Sequence, residues 1–423
     1  MTQPQTMTHD HAAVLTRRLE TYEPELRAFT TYDPVRIRAD ARAACSGPLS
    51  GLSVGVKDII DMAGYVTAYG SPIYGGHTAC ADAACVTQLR QAGALCAGKT
   101  VTTEFAFFRP GATVNPHDAT RTPGGSSSGS AAAVAAGIVD IGLASQTAAS
   151  LTRPASYCGV VGFKPSYGRY AAAGSKSLAP SFDTLGTITP DVATAALADA
   201  VLKGPVAAPA TLAPTAPERV LLCRTPHWGE ADDSTRMVVE KAAGLFAAHV
   251  PVVEQDMSAF ENAAALHITI MSYEAAQALA WEYTAHQSQL SQQIVGLLEA
   301  GRKISYAAYR AALEKAEDLR GQMAALAPPG TIMLAPAAPG EAPRLSEGTG
   351  SPVFSRLWTL LRLPTITLPG LLGTTGLPVG VQLLAGLGAD EALLDHAVWA
   401  EAILPARPVP PLYARQNTKE ETR

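Results

Sequence analysis

Short apolar runs closed by Gly, Pro, Asn or Asp recur along this chain between longer segments whose apolar positions keep a helical period. Leu52–Val56 is one such run and predicts a short buried strand that ends at Lys57, with Asp58 beside it. Upstream, residues 12–45 predict two helices around a break at Tyr32-Asp33-Pro34, which caps the second. Downstream, Asp82–Ala94 predicts a helix and Ala94–Lys99 leads into TVTTEFAFF. RPGATVNPHDATRT, rich in Pro, Asn and Asp, is a loop. The second half predicts strands at Arg219–Cys223, Thr331–Leu334, Pro364–Leu368 and within Gly376–Gly386. Helices are expected at Asp191–Leu202, Ser234–His249 and Asp390–Ile403, with a block of several over Ala259–Leu326. Pro205, Pro209, Pro214 and Pro217 break regular structure between two lobes. Strands toward both ends of the chain with helices between them favour an α/β class: a single-domain α/β/α sandwich around one large mixed β-sheet, without internal repeats.

The stretch Pro123–Ala155 reads PGGSSSGS, then AAAVAAGIVDIGLA, then SQTAASLTRPA, so two serine clusters flank one small-residue segment. Gly124 and Gly125 allow a sharp turn, and Ser130–Gly137 has the texture of a helix buried against neighbours. Ser150 follows Ser126 by twenty-four residues, enough for about three helical turns, a short return strand and a tight turn. Both serines can therefore face one pocket. On composition alone a Gly/Ser run is a flexible linker, but linkers do not continue into an apolar segment and a second serine turn closed by Arg153-Pro154. A phosphate-cradling loop needs a lysine that is absent here, since Ser130 is followed by alanines.

Other candidates are weaker taken singly. A lone lysine at a strand end, such as Lys57, is ordinarily a solvated cation. The nine histidines are scattered, and none stands in a motif that would supply a histidine relay to a serine. His117 is the nearest of them to the serine turn in sequence, and its Asn-Pro-His-Asp loop makes it a surface or capping residue.

Together these motifs resemble the amidase signature family, whose hallmark is PGGSSxGS, a second serine twenty-four residues after the first in a TGGS-like turn, and then a KP. The counterparts here are Ser126, Ser150 in QTAAS, and GVVGFKP at Gly159–Pro165, with GLSVGVKDIIDMAG at Gly51–Gly64 similar to the family's lysine strand. The likeness spans roughly Pro48 to Ile403. It implies one domain over 48–423, with a core over about 48–203 and a helical pocket wall over about 259–326, behind an N-terminal helical segment over 1–47. It also implies a cofactor-free, metal-free amide hydrolase in which Ser150 is the nucleophile, Ser126, after a cis peptide bond, is the relay, and Lys57 is the base. For that role Lys57 must be neutral, its usual pKa near 10.4 lowered by desolvation and a nearby cation. Thr147, Ala148 and Ala149 would form the oxyanion hole through backbone N–H groups. Ser127 and Ser128 read as supports of the turn.

This chain departs from the family's DTGGSIR: it has Gln146, Ala148 and Ala149, and its arginine stands one place later, at Arg153. The QTxxSxxRP form resembles a malonamidase-like branch, in which an arginine so placed meets a substrate carboxylate. The alternative is a structural Arg153 bonded to carbonyls near Pro154. Two other functions share the scaffold: the A-type subunit of a glutamine-dependent amidotransferase, which would need a partner chain, and a catalytically silent binding protein.

Composition narrows the setting. A 423-residue chain with 47% hydrophobic and 16% charged residues can bury a large core, and a net charge of −5 gives nucleic acid no electrostatic invitation. The six cysteines show no CxxC spacing and read as reduced core thiols. The start MTQPQTMTHDHAAVLTRRLE has no apolar signal region, and no apolar run is long enough to span a membrane. A cytoplasmic protein acting on a small-molecule amide is expected, with a homodimer left open.

Overall fold

Eleven strands form one sheet in a computed structural model that describes residues 4–204 and 212–411. They are β1 (Phe29–Tyr32), β2 (Ser53–Lys57), β3 (Leu95–Thr100), β4 (Ile141–Gln146), β5 (Val161–Lys164), β6 (Thr184–Thr189), β7 (Arg219–Leu222), β8 (Val252–Glu254), β9 (Thr331–Pro336), β10 (Thr365–Leu368) and β11 (Val381–Leu384). Their order across the sheet is β1-β3-β2-β4-β6-β5-β10-β11-β9-β7-β8. Pairing is parallel on both sides of β2 and of β7, and antiparallel from β4 through β6, β5, β10 and β11 to β9. The sheet is therefore mixed, as the sequence predicts, and strands from the last quarter of the chain continue it directly beyond β5.

Burial follows position in the sheet. Strands β2 to β6 and β9 to β11 are buried along their whole length, which explains their unbroken apolar or small-residue runs. β8, at one edge, has Val253 and Glu254 exposed, and Glu254 pairs with Arg224. A short, charged edge of this kind discourages pairing with another chain. At the other edge lies β1, which the segment before residue 48 carries between its helices Pro4–Leu26 and Pro34–Ala43. Four residues gave too little pattern to foretell that strand. Asp33 does cap the second helix, accepting from the N–H groups of Val35 and Arg36.

The helix Ser128–Ala135 is wholly buried. Its small residues are dictated by contact: a Cβ on Gly129 would stand 2.1 Å from the carbonyl oxygen of Ala28 and 2.4 Å from the nitrogen of Val101. The expected block of helices after residue 259 is present as Ala263–Ala278, Ala280–His286, Gln292–Arg302 and Tyr306–Leu326. Residues 205–211 of the proline-rich stretch lie outside the described residues, while 212–217 form no helix or strand. Cys85, Cys96, Cys158 and Cys223 are buried free thiols, but Cys45 and Cys80 are exposed, correcting the expectation of six core thiols. Among the described residues no helix is long and apolar enough to cross a membrane.

Candidate active site

Parallel pairing of β2 with β4, Val56 opposite Leu143, brings the ends of both strands to one edge, where Lys57 and Ser145 meet. Lys57 is fully buried, and its Nζ donates to Ser126 Oγ at 2.8 Å, to Ser145 Oγ at 2.8 Å and to the Ser145 carbonyl at 3.4 Å. Burial pushes the ammonium down to about 7, while Asp183 pulls it the other way. Desolvation thus acts as expected, but the charged neighbour is a carboxylate and not a cation. A neutral lysine keeps two N–H groups and one lone pair. Once neutral, Lys57 can keep both N–H groups on Ser145 and turn its lone pair to the Ser126 hydroxyl, reversing that hydrogen bond so that Ser126 donates.

Ser126 begins where Gly124, at φ 84°, turns the chain, and the Gly125–Ser126 peptide bond is cis. Ser127 and Ser128 are supports. Ser127 Oγ donates to the Ser145 carbonyl at 3.3 Å, and Ser128 Oγ to the Val101 carbonyl at 3.3 Å. The Ser127 N–H donates to the Ser150 carbonyl at 3.1 Å, tying the two serine turns together. Ser126 and Ser150 open on the same small cavity of about 30 Å³, which Thr147, Ala148, Ala149 and Arg153 also line. A second cavity of about 300 Å³ meets it at Ala106, Thr147 and Leu178.

The turn before Ser150 holds without glycine. Ala148 and Ala149 keep negative φ, and the N–H groups of Ala148, Ala149 and Ser150 have no acceptor among the described residues. Gln146 shapes the turn. Its Oε1 accepts from Leu151 N at 3.0 Å, Thr152 N at 3.1 Å and Thr152 Oγ1 at 3.0 Å. Its Nε2 donates to Thr359 Oγ1 at 3.2 Å. A neutral amide thus organises the turn by offering a donor as well as an acceptor, which a carboxylate cannot do.

Several neighbours gave no signal in the sequence. Asp183 accepts from Thr147 Oγ1 at 2.6 Å, from Ser177 Oγ at 2.6 Å and from the N–H groups of Leu178 and Ala179. Burial pushes its carboxyl up and these donors hold it down. His267 is buried, stacks on Phe182 and meets the Thr147 carbonyl through Nε2 at 2.8 Å. Burial first, and then the charge of Arg356, hold His267 down to about 3, so it is neutral and donates. From the helical block expected to wall the pocket, Met271 faces the cavity.

Arg153 is buried and bonded to backbone: Nη1 donates to the Gly350 carbonyl at 2.7 Å and Nη2 to the Gly125 carbonyl at 2.6 Å. Of the two roles open for it in the sequence, this is the carbonyl-bonded one. Arg356, on the helix Val353–Leu360, lines the same cavity. His117 stands apart from the cavity, half-buried, its Nε2 3.0 Å from the Cys158 carbonyl oxygen.

The arrangement has known relatives. A family model described as Amidase matches residues 11–394. The A-type subunit of the glutamyl-tRNA(Gln) amidotransferase of Synechococcus sp. (strain RCC307) is 30% identical over 96% of this chain and 96% of its own. The peptide amidase of Stenotrophomonas maltophilia superposes with a TM-score of 0.80 at 26% identity, covering 96% of this chain and 95% of that one. A chain from a vestigial protein complex that bears on the evolutionary origins of an s-triazine catabolic enzyme, with inhibitor bound, gives a TM-score of 0.86 at 26% identity over 95% of this chain and 96% of that one. By its sequence motifs, its fold and these likenesses, the chain belongs to the amidase signature family and is an enzyme acting on amide C–N bonds by hydrolysis or transfer.

Proposed function

We propose that this enzyme hydrolyses a small-molecule carboxylic amide to the acid and ammonia or an amine. The observation that carries the reading is a fully buried Lys57, held near neutrality, at 2.8 Å from Ser126 on the cavity that Ser150 shares. Lys57 takes the Ser126 proton as Ser126 takes that of Ser150, and Ser150 Oγ adds to the substrate carbonyl. The oxyanion then faces the N–H groups of the turn Thr147, Ala148, Ala149, each donor contributing about 3 kcal/mol in such sites. Collapse breaks the C–N bond, and the departing nitrogen receives its proton back from Lys57 through Ser126. Water, deprotonated along the same path, adds to the acyl-Ser150 ester and releases the acid. The test is ammonia release from a panel of small amides by the purified chain. Absence of release from every amide would reject the reading.

A second reading is favoured by one observation, the 30% identity with an A-type amidotransferase subunit over nearly the whole chain. There the same chemistry would supply ammonia within a complex. The two part on whether the chain alone turns over an amide or needs partner subunits to do so.

A further inference from the structure

Two guanidinium groups line the cavity that holds Ser126 and Ser150, and their states differ. Arg153 is engaged on two sides by the Gly350 and Gly125 carbonyls, with Thr349 Oγ1 at 3.4 Å as a third contact. A substrate carboxylate would have to displace those carbonyls. The Arg356 guanidinium makes no hydrogen bond or ion pair among the described residues, and its Nε is buried without an acceptor. Glu230 attracts it without reaching it, and Arg153 and Arg356 repel each other across the cavity. Two partly desolvated cations beside one cavity, with no anion between them, are an unfavourable arrangement that a bound anion would relieve.

The position of Arg356 is fixed relative to the nucleophile's turn. Its neighbour Ser355 shares a hydrogen bond with Thr152 Oγ1 at 2.9 Å, and Thr359, one helical turn on, donates to the Ala148 carbonyl at 2.9 Å. One water occupies about 10–15 Å³ of such space, so a cavity of about 30 Å³ admits only a small group close to the reacting carbonyl.

We propose that Arg356 binds an anionic group of the substrate, so that the preferred amides carry a carboxylate a short spacer away from the scissile carbonyl. This rests on the amide-hydrolase reading and adds the substrate class to it. Arg153, in this arrangement, is a positioning residue that holds the two serine turns and the 349–350 loop together.

The test is a calorimetric titration of the half-amide succinamate and the neutral diamide succinamide into the full chain carrying Ser150→Ala, which cannot consume either. The same titrations are run with Arg356→Met or Arg356→Lys added. A charge-assisted pair predicts that succinamate binds about ten- to a hundred-fold more tightly than succinamide. That preference should vanish in Arg356→Met and persist in part in Arg356→Lys. Because the Arg356 guanidinium holds no protein partner, both variants should melt with the parent, and a Met variant that misfolds leaves the Lys variant to decide by its weakened preference. A preference undiminished in the variants overturns the proposal, as does a parent without one, whether both amides bind equally or neither binds. Binding is read apart from turnover, so a chain that hydrolyses no amide would remove the hydrolase reading while the titration still decides the role of Arg356.

Discussion

Thr359 donates its hydroxyl to the carbonyl of Ala148, 211 positions earlier in the chain, at 2.9 Å, while accepting from Gln146 Nε2 at 3.2 Å. One side chain from the last quarter of the sequence therefore clamps both the turn that carries Ser150 and the residue that shapes it. Thr359→Val keeps the shape and removes both bonds, leaving buried groups unpaired at about 1–3 kcal/mol each. We expect a lower Tm and kcat reduced about ten- to a hundred-fold, because the turn's N–H groups lose their aim. Kinetics and melting of the variant check this; a kcat equal to the parent's would show that the turn holds itself.

Ser150→Ala should reduce amide hydrolysis on the order of 10⁴-fold or more. The hydroxyl has no hydrogen-bond partner among the described residues, so its loss should barely move the melting temperature. Undiminished turnover in a folded variant would sink the assignment of the nucleophile.

Activity should follow deprotonation of Lys57. With its pKa lowered to about 7 by burial, the base is protonated and idle on the acid side, and rate rises with pH through that region. Asp183 favours the charged form, so Asp183→Asn should move the acid limb to lower pH, and Lys57→Ala should abolish the limb with most of the rate. Profiles of kcat/KM against pH decide; a limb that moves to higher pH in Asp183→Asn would contradict the electrostatic account.

His267 links this region to stability. It is neutral in the fold down to about 3, whereas an unfolded histidine takes its proton near 6.5. The unfolded state therefore binds the extra proton between those values, and stability falls as pH drops from about 6.5 toward about 3. His267→Gln removes that titration and should flatten the acid side of the stability curve measured by denaturant unfolding. An unchanged slope would mean that other groups carry it.

How much of this was legible in the sequence depended on distance along the chain. Lys57, Ser126 and Ser150 could be named because their motifs resemble those of the amidase signature family, and Gln146 because it lies four residues before Ser150. Ser145 had a signal in the sequence: it is the next-to-last residue of the strand that follows the small-residue helix, and a parallel neighbour ending in a lysine brings the two strand ends together. Asp183, His267, Arg356 and Thr359 had none, since each reaches the site only through the order of the sheet and the packing of helices on it. Arg153 lines the cavity, but whether its guanidinium was free depended on the carbonyl of Gly350, far along the chain.

The sheet order described above also sets a schedule for synthesis. Both serine clusters and the lysine strand leave the ribosome before β9, β10 and β11, and before the helix that bears Thr359 and Arg356. The nascent core is thus born with an open flank at β5 and an unclamped turn. Competence arrives only when the last quarter of the chain is complete and docks, so an interrupted translation product would carry the whole signature and still lack a finished site.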